Sequence, residues 1–413
     1  MSAPSSVGKI LTGLKIQDLA RGGNGVTREA ADPAKPLEKP RVLFVPLTLP
    51  GDVVSVRIVA EERRFATAEL VEIETPSPDR VKPRCAVFGK CGGCTWQHVP
   101  YALQWKTKKE GVLHALSRTD VKLPAAPVVE FPAENPWNYR NRIQLRAKIN
   151  VGAEGTSPED ITLGYFARRS KDLVGVDHCA IAREELNGVL GETRAEAATQ
   201  IEERLASGEK NPELKVEIEV LPDGTTRKAW NARHGVMGFR QVNDAQNERL
   251  RAFVRENISE GAHFFDLYGG AGNFSYDDAA RYAFVECVDT GSPEGGFEGQ
   301  PENYRFFRGD VPRWLDRRTK EFEKGVFKPK GPVEVVVDPP REGLADQSHK
   351  ISNSLEKLGA KKLIAVGCDS DSWARDVSRL IKQGWCLERV AIFDLFPQTP
   401  HVEAVAVFVK NRN

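Results

Sequence analysis

Phe264-Phe265-Asp266-Leu267-Tyr268-Gly269-Gly270-Ala271-Gly272-Asn273-Phe274 passes from an apolar run into three glycines within four residues. The pattern predicts a buried strand, a tight turn and then a helix. Glycine at positions such as Gly270 lets the backbone come close to a bound cofactor. By itself a glycine turn suits a dinucleotide, or no ligand at all, so its surroundings decide.

From that turn to the C-terminus, apolar strand-like runs at 263–268, 283–288, 304–309, 333–338, 361–368, 386–395 and 402–410 alternate mostly with helical stretches. Seven such runs predict an α/β domain over residues 236–413, built on a doubly wound sheet. Only Phe396-Pro397-Gln398-Thr399-Pro400-His401 separates the last two runs. That is too short for a helical crossover, so these two should pair antiparallel, the ending typical of Rossmann-like class I methyltransferase domains. Glu286 and Asp310 are read as acids closing the second and third strands, where a carboxylate accepts ribose hydroxyls. Strand-end acids are also common without a ligand. Glycine turn, Glu286 and Asp310 on three successive strands together favour S-adenosylmethionine over a dinucleotide.

Asp338-Pro339-Pro340-Arg341 follows a valine-rich run, at the position where nucleic-acid base methyltransferases hold their target. The prolines stiffen the loop and Asp338 supplies an acceptor. RNA cytosine-C5 enzymes generally carry their nucleophilic cysteine in this loop, and here the loop has none. The next run, Leu363-Ile364-Ala365-Val366-Gly367, instead delivers Cys368 to the cofactor edge of the sheet. Carbon C5 of uracil takes up a methyl group only after a thiolate has added to C6. A base must then remove the C5 proton, and Glu403, just after the proline-rich turn, can serve. Singly, a free cysteine is more often a small buried hydrophobe and a strand-end glutamate a solvated one. The pair, on one edge, favours chemistry.

Upstream, residues 1–75 alternate strand-like runs (9–16, 41–47, 52–58, 66–73) with turn clusters such as Arg21-Gly22-Gly23-Asn24-Gly25, which predicts a small β-barrel of OB-like type. Residues 76–235 form a mixed α+β middle domain with a helix near 184–205. Cys85, Cys91 and Cys94, with Cys179 far downstream, supply four thiolates for zinc or for an iron–sulfur cluster. A lone fourth cysteine, without a second close pair, tilts the reading toward a cluster.

Across the whole chain 59 Lys and Arg balance 58 Asp and Glu, so total charge predicts no polyanionic partner. Between Pro76 and Asn150, however, thirteen Lys/Arg face five Asp/Glu, with Trp96, Trp105, Trp137, Tyr101 and Tyr139 interleaved. Basic residues among aromatics suit RNA, against the blander reading of a solvated face over core tryptophans. The N-terminus lacks the apolar stretch of a signal peptide, and no run approaches bilayer-spanning length. Seven cysteines in 413 residues do not resemble a secreted disulfide framework. A cytoplasmic protein is expected, with no membrane association and no evident obligate protein partner.

Taken together, Cys85-Ala86-Val87-Phe88-Gly89-Lys90-Cys91-Gly92-Gly93-Cys94, Gln241-Val242-Asn243, the glycine turn after Asp266, Asp338-Pro339-Pro340-Arg341 and His401-Val402-Glu403 resemble the RNA uracil-5-methyltransferase family. The resemblance implies an N-terminal TRAM barrel and a middle domain holding a 4Fe-4S cluster on Cys85, Cys91, Cys94 and Cys179. It implies Cys368 as nucleophile and Glu403 as proton acceptor. Gln241, Glu286 and Asp338 match cofactor-pocket positions, and Tyr268 would line the same pocket. Members with both barrel and cluster mostly modify 23S ribosomal RNA, so that substrate is expected, with transfer RNA as the competitor.

The chain departs from the family pattern in three places. Asp369-Ser370 follows the nucleophile where Asn-Pro is usual, and an adjacent carboxylate is expected to raise the thiol pKa. The stretch from Gly291 to Pro301 is too rich in Gly and Pro for the usual helix. Gly269 stands where relatives often show Cys, with little expected effect. A competing reading is a non-catalytic RNA-binding or assembly factor. Against it stand Cys368, Glu403, Gln241 and Asp338 together, a set that binding alone does not require.

Overall fold

The structure, a computed structural model, describes residues 6–29, 40–150, 152, 155–232, 240–291 and 299–410. The first sheet holds β1 (Ile10–Lys15), β2 (Asp18–Leu19), β3 (Gly25–Arg28), β4 (Val42–Val45), β5 (Val53–Glu61) and β6 (Phe65–Thr75), in the order β1-β5-β6-β4-β3-β2. β1 and β2 are nearly one continuous stretch, yet they lie at opposite ends of that order, so the sheet closes on itself. Ile16, Val45, Val54, Val56 and Ala68 fill its interior. β2 and β3 escape sequence reading because they are only two and four residues long and flank a turn cluster.

Helix α1 (Tyr101–Arg118) and strand β7 (Val129–Phe131) come next. A second sheet follows, of β8 (Arg142–Ile149), β9 (Ile161–Phe166), β10 (Leu173–Gly175), β11 (Glu213–Val220) and β12 (Thr226–Trp230), ordered β10-β9-β8-β11-β12. The helix expected at 184–205 is two helices, α2 (Glu184–Gly188) and α3 (Leu190–Ala206). Gly188 weakens the helix there, and at Val189 the backbone leaves helical geometry, with φ −101° and ψ 1°.

The third sheet contains all seven runs expected in the C-terminal half: β13 (His263–Leu267), β14 (Phe284–Asp289), β15 (Tyr304–Arg308), β16 (Val333–Val337), β17 (Lys362–Gly367), β18 (Trp385–Phe393) and β19 (Glu403–Lys410). Helices α4 (Asp244–Asn257), α5 (Val311–Glu323), α6 (Ser348–Lys357) and α7 (Ser370–Lys382) accompany them. The strand order is β15-β14-β13-β16-β17-β19-β18-β7, with β19 antiparallel to both β17 and β18. Side chains alternate between two buried faces: Phe265, Leu267, Val335 and Val337 enter one core, Phe264, Val285 and Val336 the other. Burial on both sides is why these strands read as unbroken apolar runs.

Two expectations give way here. The glycine turn is not followed by a helix: between Leu267 and Phe284 the chain makes turns and one short 3-10 segment, Ala279–Arg281. Positive φ at Tyr268, Gly270 and Gly272 is incompatible with a helix starting there. The expected middle block 76–235 is also not contiguous in space. β7 pairs with β18 as the eighth strand of the third sheet, and Val112, Ala115 and Leu116 of α1 lie in its core. No apolar signal in the sequence distinguishes an edge strand of three residues. Most of residues 291–301, the stretch rich in Gly and Pro, falls outside the described residues.

Candidate active site

Parallel pairing brings the ends of β13, β14, β16 and β17 to one edge, since Leu267 aligns with Val288 and Val337, and Val337 with Ala365. β19 enters that edge from the opposite direction. Gly367 pairs with Ala404, which places Cys368 next to Glu403 across the ladder. The strand turns sharply into α7 after Gly367. The Trp373 ring lies so close that a Cβ on Gly367 would come 2.8 Å from its Cδ1, and the indole donates to Ala365 O at 3.1 Å. Only glycine fits before the cysteine.

Cys368 is half-buried, and its thiol is pushed up to about 11, by burial first and then by Glu403, with a further push from Asp338. The Arg341 guanidinium pulls it down. Glu403 is 2% exposed, and burial, then Asp338, holds its carboxyl well above the usual range, again opposed by Arg341. The structure therefore joins Cys368, Glu403 and Asp338 as expected and adds Arg341, whose motif the sequence displayed but to which sequence reading gave no role. Asp369 behaves differently from expectation. Its carboxylate caps α7, accepting from Ser372 N at 2.9 Å, and the acids that raise the thiol most are Glu403 and Asp338. A carboxylate committed to a helix N-terminus has its charge offset by the backbone N–H groups there.

On the cofactor side, Tyr268 adopts φ +60°, and Gly270 N donates to Asp289 Oδ2 at 3.1 Å. The Tyr268 hydroxyl is pushed to about 12 by burial, then by Asp310 and Asp376. Asp310 stands exposed beyond β15 and caps α5, accepting from Arg313 N at 3.1 Å. Gln241 is buried just before α4, its carbonyl accepting from Asn141 Nδ2 at 2.9 Å. Nearby, Asn243 Nδ2 donates to Leu395 O, two residues past the end of β18, tying this turn to the same edge. A Cβ at Gly269 would lie 2.7 Å from both Asp266 Cγ and Cys287 Sγ. The Cys287 sulfur occupies the space into which a side chain at 269 would point.

Glu286 does not reach this edge. It pairs with Phe265 in mid-strand, is 2% exposed, and binds His263 Nε2 at 3.1 Å and the Arg318 guanidinium of α5. It is half of a buried ion pair, a group whose loss of one partner typically costs about 3–5 kcal/mol. The acid at the end of β14 is Asp289, three residues further on, which accepts from Gly270 and Gly291. Sequence reading ended the strand one residue early and took the wrong carboxylate, although Asp289 stands directly before Thr290-Gly291.

Asp266, Asp289 and Asp338 form an acidic cluster around the turn. Burial, reinforced by the neighbouring acids, pushes Asp266 and Asp338 to about 7. Among the described residues, Asp266 Oδ1 is buried without a hydrogen-bond partner. Open backbone at a glycine turn beside a cluster of acids, one of whose buried oxygens has no partner, suits a cationic ligand, and S-adenosylmethionine carries a sulfonium and an ammonium.

Elsewhere, Cys85, Cys91, Cys94 and Cys179 line one cavity of about 190 Å³ together with Arg140 and Tyr165. Burial, and then the neighbouring sulfurs, raises the Cys85, Cys91 and Cys94 thiols, the last to about 12. Among the described residues, no three His, Cys, Asp or Glu gather closely enough to hold a single metal ion. No helix among the described residues is long and apolar enough to cross a membrane.

A family model described as tRNA (Uracil-5-)-methyltransferase matches residues 323–412. The chain is similar to an uncharacterised RNA methyltransferase of Bdellovibrio bacteriovorus, at 30% identity over 95% of this chain and 93% of that protein. It is also similar to the 23S rRNA (uracil(1939)-C(5))-methyltransferase of Pectobacterium atrosepticum, at 27% identity over 89% of each. The crystal structure of a Pyrococcus abyssi tRNA (uracil-54, C5)-methyltransferase in complex with S-adenosyl-L-homocysteine shares its fold, with a TM-score of 0.59 and 21% identity, covering 96% of this chain and 99% of that one.

Proposed function

The chain belongs to the RNA uracil-5-methyltransferase family, and on that premise we propose that it methylates C5 of a uridine in 23S ribosomal RNA, with Cys368 as nucleophile and Glu403 as proton acceptor. The observation that carries this reading is the adjacency of Cys368 and Glu403 across the β17–β19 ladder, at the edge that bears the glycine turn. S-adenosylmethionine, when bound, supplies an electrophilic methyl carbon. Tyr268, Gly270, Asp289, Asp310, Asp338 and Gln241 are the residues at hand to hold it.

The chain's own residues do the rest. Cys368 Sγ, as thiolate, forms a bond to C6 of uracil, and the C5–C6 π pair moves toward O4, making C5 nucleophilic. Arg341 favours both ionised forms, the thiolate and the Glu403 carboxylate. Once C5 is methylated, Glu403 takes the C5 proton, the C5–C6 double bond re-forms, and the C6–S bond breaks to release Cys368. Addition occurs at the face of the ring, so the target uridine must leave its stack.

RNA contact falls to the barrel and the basic segment of residues 76–150, where the Arg84 guanidinium lies 4.6 Å over the Trp137 ring. Modification of ribosomal RNA sets the enzyme in the cytoplasm. Transfer RNA is the second reading, favoured by the description of the matching family model. Mapping 5-methyluridine in both RNAs from a deletion strain separates the two. A loss confined to transfer RNA would exclude the ribosomal assignment, and no loss in either would exclude the activity.

The four cysteines are read as ligands of a 4Fe-4S cluster, since they ring a cavity with a basic residue, Arg140, in its wall. Such a cluster would hold the segment together; methyl transfer requires no electron from it. Protein purified without oxygen is expected to contain about four irons per chain. Zinc at one equivalent with no iron would overturn this assignment.

A further inference from the structure

Glu403 opens β19, and the chain that delivers it, from Asp394 to Val402, is held almost entirely by residues outside the C-terminal block of motifs. Gln398 adopts φ +67°, a conformation that side chains other than glycine rarely take, and is 2% exposed. Gln104, on α1 and 1% exposed, meets it in a reciprocal amide pair: Gln398 N donates to Gln104 Oε1 and Gln104 Nε2 donates to Gln398 Oε1, each at 3.0 Å. Gln104 Nε2 also donates to Trp96 O and Val99 O. The Gln398 carbonyl accepts from Thr95 N and Trp96 N, both at 3.1 Å. One turn along α1, Lys108 forms a fully buried ion pair with Asp394 at 2.6 Å and donates to Phe396 O at 3.0 Å.

These bonds grip the turn at two points. Lys108 fixes its start, where β18 ends, and Gln104 fixes its strained middle, five residues before Glu403. An unheld hairpin turn of this length has many conformations, and a shift of about 1 Å at a catalytic group can lower a rate about 100-fold. We propose that Gln104 and Lys108 are positioning residues that set Glu403 for removal of the C5 proton, so that α1 acts on one half of the reaction and leaves addition of Cys368 to C6 intact. The inference rests on the assignment of Glu403 as proton acceptor. A purely structural role would instead weaken addition and release together.

The test uses full-length protein with S-adenosylmethionine and ribosomal and transfer RNA isolated from a strain deleted for the gene. Gln104→Met keeps the volume and removes the amide, whereas Gln398→Gly removes the partner side chain and suits the backbone to φ +67°. Expected for both are a kcat about 10- to 100-fold lower with the KM for RNA little changed, and a covalent protein–RNA band on a denaturing gel. Glu403→Gln serves as the reference in the same gel. A band for Glu403→Gln but none for either Gln variant overturns this inference alone, as does failure of both variants to fold. No band for Glu403→Gln overturns the underlying assignment as well.

Discussion

Cys368→Ala is expected to bind RNA as the unaltered chain does, yet to form no covalent adduct and no 5-methyluridine. Without a thiolate, C6 has nothing to accept and C5 stays unactivated, so the rate should fall on the order of 10⁴-fold or more, as when other covalent nucleophiles are removed. The remaining cysteines of the third sheet provide the contrast. Cys386 pairs with Val409, which pairs with Lys362, at the opposite end of the sheet from Gly367. Cys386→Ala should therefore leave the rate unchanged. Cys287 is buried, its thiol raised well above the ordinary range by burial and then by Asp266, and it cannot substitute as a thiolate. Full methylation by Cys368→Ala, measured by nucleoside analysis, would discard the nucleophile assignment.

Glu403→Gln should fail at the other end of the reaction. The thiolate still adds, but no carboxylate receives the C5 proton, so enzyme and RNA remain joined and product release slows by about 100- to 10,000-fold. Folding should not suffer. A carboxyl whose folded pKa is raised above its unfolded value loses stability for the fold as pH rises from the unfolded to the folded pKa, and an amide carries no such penalty. Glu403→Gln should thus melt no lower than the unaltered chain at neutral pH.

The same groups set the pH dependence. Both Glu403 and Cys368 act when ionised, and both are shifted upward, so activity should rise with pH through the neutral range. Arg341→Gln removes the cation that opposes both shifts, so its rate should be lower throughout the neutral range and its rise with pH displaced to higher pH. A flat profile would count against ionisation of these groups as the controlling step.

The strands of the third sheet were legible because burial on both faces demands uninterrupted apolar runs, and the short link 396–401 forced an antiparallel ending. Cys368 and Glu403 were legible because each stands at the end of such a run. Glu286 was misread because the sequence shows that an acid lies near a strand end but not which of two, three residues apart, lies beyond it. The backbone register decides that: Glu286 sits opposite Phe265, and Asp289 reaches the glycine turn. Asp369 was misread for a related reason, since proximity along the chain does not fix where a carboxylate points.

What the sequence determined by itself is the class of fold, the family and the strand ends at which Cys368 and Glu403 stand, since periodicity, turn length and residue chemistry are local properties. What only the tertiary structure decided is the company those residues keep. Arg341 acting on both Cys368 and Glu403, Cys287 filling the space beside Gly269, and α1 with β7 joining the third sheet all link parts of the chain that the sequence keeps apart. Gln104 and Gln398 stand 294 residues apart and meet through hydrogen bonds in a buried node, where an unpaired amide is too costly to leave.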